Sequence, residues 1–260
     1  MPTPGAAPGP LPHGRPVVRH HERRGIRRGV SLLPSLFTLA NLFCGWSCIV
    51  YAMHGQLAMA APFIGIAMVM DMLDGRIARM TGTSSEFGVQ LDSLADVISF
   101  GMAPATLAYA WGLAPLGRVG WAVGFLFVTG AALRLARFNI QHGHTDKRYF
   151  VGLASPAAGA IPAATVFYYP LQLQGRAEAW LAVLMVIVPA LLMVSTIRFR
   201  SFKSLDLRAK RRYTTLVALA GFLALLVAFP HEVLVLMAYG YLASGFVEMA
   251  ISKMRHRSHD

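Results

Sequence analysis

Charge is scarce in this chain. Only 14% of its 260 residues are Asp, Glu, Lys or Arg, and 55% are hydrophobic. A soluble globular domain carries about 25% charged residues. The shortage excludes a water-soluble domain of ordinary composition, and the apolar runs are long enough to cross a bilayer as helices. Negative charge is scarcer still: 12 acidic residues stand against 24 Lys and Arg, a net charge of +12. A basic excess can signal nucleic-acid binding. Here the basic residues lie in tails and between apolar runs, a pattern of membrane orientation and of contact with anionic lipid headgroups; no nucleic-acid partner is expected. Cysteine is nearly absent. Cys44 and Cys48 lie one helical turn apart in the first apolar run, so a bridge would staple nothing distant. They read as small packing residues.

Residues 1–28 are rich in Pro, Gly, Arg and His and have no apolar periodicity, which predicts a disordered segment. A polar stretch of this length before the first apolar run is not a secretory signal peptide. Arg15, Arg19, Arg23, Arg24, Arg27 and Arg28 suit an anchor on anionic lipid, or equally a solvated tail that only sets topology. Eight apolar runs follow, at 32–53, 57–80, 88–112, 117–140, 152–172, 177–198, 212–229 and 232–252. The expected architecture is an all-α bundle of eight transmembrane helices. It comprises a basic tail over 1–30, a catalytic membrane domain over 31–252 and a basic tail over 253–260. Placing the N-terminus in the cytoplasm puts Arg200, Lys203, Arg208, Lys210, Arg211, Lys253, Arg255 and Arg257 on that side, and the outer connections keep little beyond Arg118 and Arg176. The expected orientation is therefore N-in and C-in. Trp111, Trp121 and Trp180, near the ends of runs, read as interface anchors.

The unusual charge lies in one place. Asp71, Asp74, Gly75, Arg76, Ala78 and Arg79 close the second run, and Gly88, Asp92 and Asp96 open the third. At 100° per residue, Asp71, Asp74, Gly75, Ala78 and Arg79 fall within one arc, and Gly88, Asp92 and Asp96 are spaced i, i+4, i+8 on one face. Two antiparallel helices with these faces together put four carboxylates in one small volume. Ionised carboxylates in a low dielectric repel, so either some are protonated or cations hold them. Oxygen-only ligands favour Mg²⁺ or Mn²⁺. Two such ions would balance four charges and would suit a phosphoryl displacement. Gly75, Gly88 and the small Ala78 leave a wall that a bulky ligand can approach. Singly, each Asp or Arg reads as well as a structural ion pair, and each glycine as a packing position. The joint spacing is what points to a site.

The pattern Asp71-x2-Asp74-Gly75-x2-Ala78-Arg79-x8-Gly88-x3-Asp92-x3-Asp96 resembles that of the CDP-alcohol phosphatidyltransferase family at every defined position. The resemblance implies transfer of a phosphatidyl group from a CDP-linked lipid to an alcohol, with release of CMP. It implies metal ligation by Asp71, Asp74 and Asp92. It makes Asp96 a further metal-site carboxylate and the base for the acceptor hydroxyl, and gives CDP-lipid binding to Gly75, Ala78, Arg79 and Gly88. The flanks 33–45, 134–139 and 150–158 are most similar to the membrane-embedded phosphatidylserine synthases of that family. They depart from these at Ser35, usually Asn, and Ala154, usually Pro. The implied substrates are CDP-diacylglycerol and L-serine, the implied assembly is a homodimer, and the implied site faces the cytoplasm.

Serine is a zwitterion with a nucleophilic hydroxyl, and its carboxylate needs a cation. Arg134 and Arg137 stand at i, i+3 at the end of the fourth run, level with the aspartates, and an arginine fork suits carboxylate or phosphate. One is expected on serine and the other on a lipid phosphate, unless one pairs with an aspartate. Asn139 and Ser155 add hydrogen bonds there, or else cap and pack. Asn41 reads as an interhelical hydrogen bond. His142, His144, Asp146, Lys147 and Arg148 read as a solvated loop. Two other readings stay open. The acceptor could be glycerol 3-phosphate, inositol phosphate or another alcohol, and those phosphates would require more cationic residues. A cation transporter would instead spread acidic residues through the bilayer depth.

Overall fold

A computed structural model of the chain describes residues 24–82, 85–141, 149–195, 198–200 and 212–257. The basic segment 1–23 and the His142–Arg148 stretch lie outside the described residues. Helix α1 (Arg24–Met53) begins earlier than the expected end of the N-terminal tail at residue 30. It packs on α2 (Leu57–Thr81). The third span, Glu86–Leu116, is segmented. It contains α3 (Glu86–Asp96), a π-helical turn over Val97–Met102, α4 (Ala103–Ala108), a second π-helical turn over Tyr109–Leu113 and a 3₁₀ turn over Ala114–Leu116. Then come α5 (Arg118–Gln141), α6 (Ser155–Tyr168), α7 (Arg176–Val194), α8 (Arg212–Ala228) and α9 (Pro230–Arg257).

The expected all-helical chain holds with one exception. Strands β1 (Tyr149–Val151) and β2 (Arg198–Arg200) pair antiparallel, with Phe150 opposite Phe199. They flank the α6–α7 hairpin, whose near ends bring the two extended segments side by side.

Two caps set the α2–α3 hairpin. At the end of α2, Gly82 turns to φ +63° and its N–H bonds to the Ala78 carbonyl, a left-handed cap that suits glycine. At the start of α3, the Ser85 hydroxyl accepts the Gly88 N–H at 3.0 Å and Glu86 sits in the first turn. Such an N-cap contributes about 1 kcal/mol, and the acidic first turn complements the helix dipole.

Among the described residues, five helical segments are long and apolar enough to cross a membrane: Pro34–Met53, Leu57–Thr81, Glu86–Leu116, Arg118–Ile140 and Arg176–Val194. A sixth arises if Leu216–Ala228 and Pro230–Phe246, bent by 117°, count as one broken span. The buried core is built of Ile64, Phe100, Leu107, Phe127, Ile161, Val166 and Met193, while Phe43, Trp46, Trp121, Phe125 and Leu184 point outward. So broad an exposed apolar surface suits lipid.

The run at 152–172 forms a helix of only 14 residues, with Pro156 in its first turn and Tyr169 already out of helical geometry. At 1.5 Å per residue that is about 21 Å, less than the roughly 30 Å of a bilayer core. Both flanks of this helix are tied to neighbouring elements. The Leu153 N–H bonds to the Leu192 carbonyl at one end, and the Leu173 N–H bonds to the Trp111 carbonyl at the other, at 3.0 and 2.8 Å. Trp111, expected as an interface anchor, is instead buried, and its indole N–H donates to the Tyr169 carbonyl at 2.8 Å. Its position beside the loop after α6 takes it out of the interface, whereas Trp121 and Trp180 are exposed.

Gly152 fixes the start of α6. Its φ is +85°, and a Cβ there would meet the carbonyl oxygens of Met193, Ser195 and Leu192 at 2.5, 3.2 and 3.3 Å. Gly152→Ala is expected to destabilise the protein by more than about 1 kcal/mol, read as a lower melting temperature in detergent. An unchanged melt would show that this close approach is not needed.

Candidate active site

The two halves of the aspartate motif come together. Asp71 and Asp74 on α2 and Asp92 on α3 each present a carboxylate oxygen, and these oxygens lie within 4.8 Å of one another. At that separation two full charges repel by about 3.5 kcal/mol at an effective dielectric near 20. Three such pairs approach about 10 kcal/mol, comparable with the whole stability of a domain. A counter-charge or protonation is therefore required. One Asp92 oxygen is buried and has no hydrogen-bond partner among the described residues. An all-oxygen set with an unsatisfied buried lone pair fits a hard divalent cation. Asp71, Asp74 and Asp92 could hold such an ion.

Asp96 stands outside that set of three. It is buried, 7% exposed, and accepts a 3.2 Å hydrogen bond from Asn41 Nδ2 on α1. The same helix reaches Asp74, whose Oδ2 accepts from Thr38 Oγ1 at 3.0 Å. The Thr38 hydroxyl also lies 3.1 Å from the Pro34 carbonyl, so one proton serves two acceptors. Thr38 and Asn41 are three residues apart, on one face of α1.

Of the expected nucleotide-lipid residues, Gly75 and Ala78 are half-buried and Arg79 is exposed. A Cβ on Gly75 would lie 3.9 Å from Arg79 Nη2, so the guanidinium lies back over the glycine. Gly88 has its N–H on the Ser85 cap, and a Cβ there would press on Ser85 Oγ at 3.1 Å.

The two arginines expected at the acceptor site part company. Arg134 Nη1 donates to the fully buried Ser155 hydroxyl at 2.8 Å, and its guanidinium carbon lies 5.9 Å from the centre of the Phe138 ring. It lies within electrostatic reach of Asp96 and Asp71, and of Tyr241 on α9. Its Nε is buried and has no hydrogen-bond partner among the described residues. Arg137 instead donates to the Val194 carbonyl at the end of α7, at 3.3 Å. Asn139 exchanges hydrogen bonds with Ser93, the residue after Asp92, at 3.0 and 3.3 Å. It ties α5 to α3.

Residues 31–188 match the CDP-alcohol phosphatidyltransferase family. The chain belongs to that family. It is similar to the CDP-diacylglycerol–serine O-phosphatidyltransferase of Helicobacter pylori, with 39% identity over 220 residues that cover 83% of this chain and 90% of the relative. The protein of the same name from Mycobacterium leprae is 32% identical, with 83% and 74% covered. An archaetidylserine synthase from Methanothermobacter thermautotrophicus is 36% identical, with 64% and 69% covered. In this CDP-alcohol phosphatidyltransferase the motif residues, Arg134 and Ser155 all lie within the matched region, and Tyr241 lies beyond it.

Thr38 and Tyr241 are absent from the sequence-based set, and Asn41 enters it only as an interhelical bond. The one signal for the α1 pair is that two polar side chains share a face of an otherwise apolar helix. Asp92→Asn is expected to weaken Mn²⁺ binding at least about tenfold, read as free Mn²⁺ by electron paramagnetic resonance. Wild-type affinity in that variant would remove Asp92 from the ligand set.

Proposed function

We propose that this protein transfers the phosphatidyl group of CDP-diacylglycerol to L-serine, giving phosphatidylserine and CMP. The observation that carries the reading is the closure of Asp71, Asp74 and Asp92 within 4.8 Å, drawn from both halves of the motif. The names of the H. pylori and M. leprae relatives support serine as the acceptor.

Two divalent cations, Mg²⁺ or Mn²⁺, held by the aspartates would polarise the pyrophosphate and neutralise the departing phosphate. Asp96 takes the proton of the serine hydroxyl. The serine oxygen bonds to the phosphorus that carries diacylglycerol as the bond from that phosphorus to the CMP oxygen breaks. Arg79 meets lipid-nucleotide phosphate beside the open wall left by Gly75, Ala78 and Gly88. Arg134 holds the serine carboxylate, and Ser155 orients its guanidinium. Arg137 is engaged by the Val194 carbonyl and Asn139 by Ser93, which favours Arg134 as the serine ligand. The four aspartates lie at the α2–α3 hairpin, not along a path through the bundle, which argues against a transporter.

The proposal also places the site on the cytoplasmic side of an eight-helix, N-in and C-in bundle with anionic lipid at its basic tails, and includes a homodimer. The bonds that span α6 with its flanks support a full crossing there. Cys44 and Cys48 are buried at 7% and 0% exposure, so thiol labelling has little background. Cysteines introduced at the two tails are expected to react with an impermeant reagent only in inside-out vesicles. Labelling of either in right-side-out vesicles would reverse that terminus.

The purified protein, given CDP-diacylglycerol and Mn²⁺ or Mg²⁺, is expected to release CMP with L-serine and not with glycerol 3-phosphate or inositol phosphate. EDTA should stop release. Asp96→Asn should abolish turnover yet still bind the nucleotide lipid, and Arg134→Lys should raise the KM for serine more than Arg137→Lys does. CMP release with another alcohol alone would replace serine as the acceptor.

A further inference from the structure

The triad, Asp96 and Arg134 leave one buried polar cluster unexplained, on α1. Asn41 is fully buried, at 0% exposure, and sits where α1 crosses the start of the third span. Its Nδ2 donates to Asp96 Oδ1 at 3.2 Å, and its own backbone carbonyl accepts from Ser99 Oγ at 2.9 Å. Ser99 belongs to the π-helical turn Val97–Met102 that follows Asp96 directly. One turn further along α1, Gly45 lets the helix lie against Ser99, where any Cβ would collide with it. Asn41 is thus fastened at its backbone and aimed by its side chain. The amide nitrogen faces Asp96. That leaves Asn41 Oδ1 buried and without a partner among the described residues.

We infer that Asn41 is a positioning residue for Asp96, holding the carboxylate that takes the acceptor proton, while Thr38 does the same for the metal-facing Asp74. This rests on the proton-acceptor role proposed for Asp96. The two donors stand three residues apart on one rigid helix, and their targets stand on two different helices. Helix α1 therefore sets the spacing between the metal side and the base side of the site. Residues that orient such groups cost about 10- to 100-fold in affinity or activity when lost. Their effects should differ in kind, because Asp74 belongs to the set of three oxygens and Asp96 does not.

The test uses the full chain in detergent micelles with CDP-diacylglycerol, Mn²⁺ and L-serine. Asn41→Leu keeps the volume and suits an apolar bundle. It is expected to lower kcat about 10- to 100-fold, with melting temperature, KM for the nucleotide lipid and half-saturating Mn²⁺ near wild type. Thr38→Val is expected to raise the half-saturating Mn²⁺ about tenfold, with kcat recovered at high Mn²⁺. Ser99→Ala, which frees the Asn41 backbone, should lower kcat in the same direction by a smaller factor. Wild-type kcat in Asn41→Leu beside a dead Asp96→Asn would overturn the inference alone. Equal losses in kcat, lipid affinity and melting temperature would make Asn41 merely structural and overturn it too. Full activity in Asp96→Asn would remove the reading beneath it.

Discussion

Mutual repulsion among carboxylates in a poorly polarisable bundle is the constraint on which the rest of the site depends. Three carboxylate oxygens within 4.8 Å carry a repulsion that the fold cannot absorb without compensation. A fourth carboxylate, Asp96, is buried close by. The protein answers with a layer of donors. Thr38 and Asn41 reach in from α1, and Arg134 supplies a nearby positive charge from α5. What these leave unmet, such as the bare Asp92 oxygen, is a vacant acceptor of the kind a divalent cation takes. The incomplete compensation is the chemical argument for metal: a cluster satisfied by protein alone would have no use for one.

Backbone geometry serves the same end. Asp96 is the last residue of α3, and the chain then widens into a π-helical turn. Such turns carry an extra residue per turn and are common at functional sites. Here the widened turn presents Ser99 to the carbonyl of Asn41, so the residue that holds Asp96 is itself held by the turn that follows Asp96. Gly45 permits the approach. The loop is closed: α1 cannot shift along the third span without moving both Asp96 and its donor.

How far the sequence could be read follows from what each residue needs to be recognised. The aspartates were legible because charge in an apolar run demands a reason, and their spacing places them on facing helices without reference to anything else. Arg134 and Arg137 stood out for the same reason, and the structure gives them different partners, Ser155 for one and the Val194 carbonyl for the other. Thr38 and Asn41 were not legible as site residues. A hydroxyl or amide in a membrane helix looks alike whether it meets a backbone carbonyl, a neighbouring helix or a catalytic carboxylate. Trp111 and the short α6 share another cause. Composition gives apolar length but not where a proline-flanked run leaves helical geometry, and it cannot show that its flanks then bond to Leu192 and Trp111.

The two sides of the site also differ in which part of the chain builds them. The carboxylates and their donors come from α1 to α3, inside the region that matches the family. The Arg134 side is completed from outside it. Helix α9 docks on α6 through a Tyr239–Thr165 hydrogen bond of 2.9 Å and a His231–Phe167 ring stack at 4.3 Å, and Tyr241 on α9 lies within electrostatic reach of Arg134. Part of what surrounds Arg134 is thus a C-terminal helix beyond residue 188.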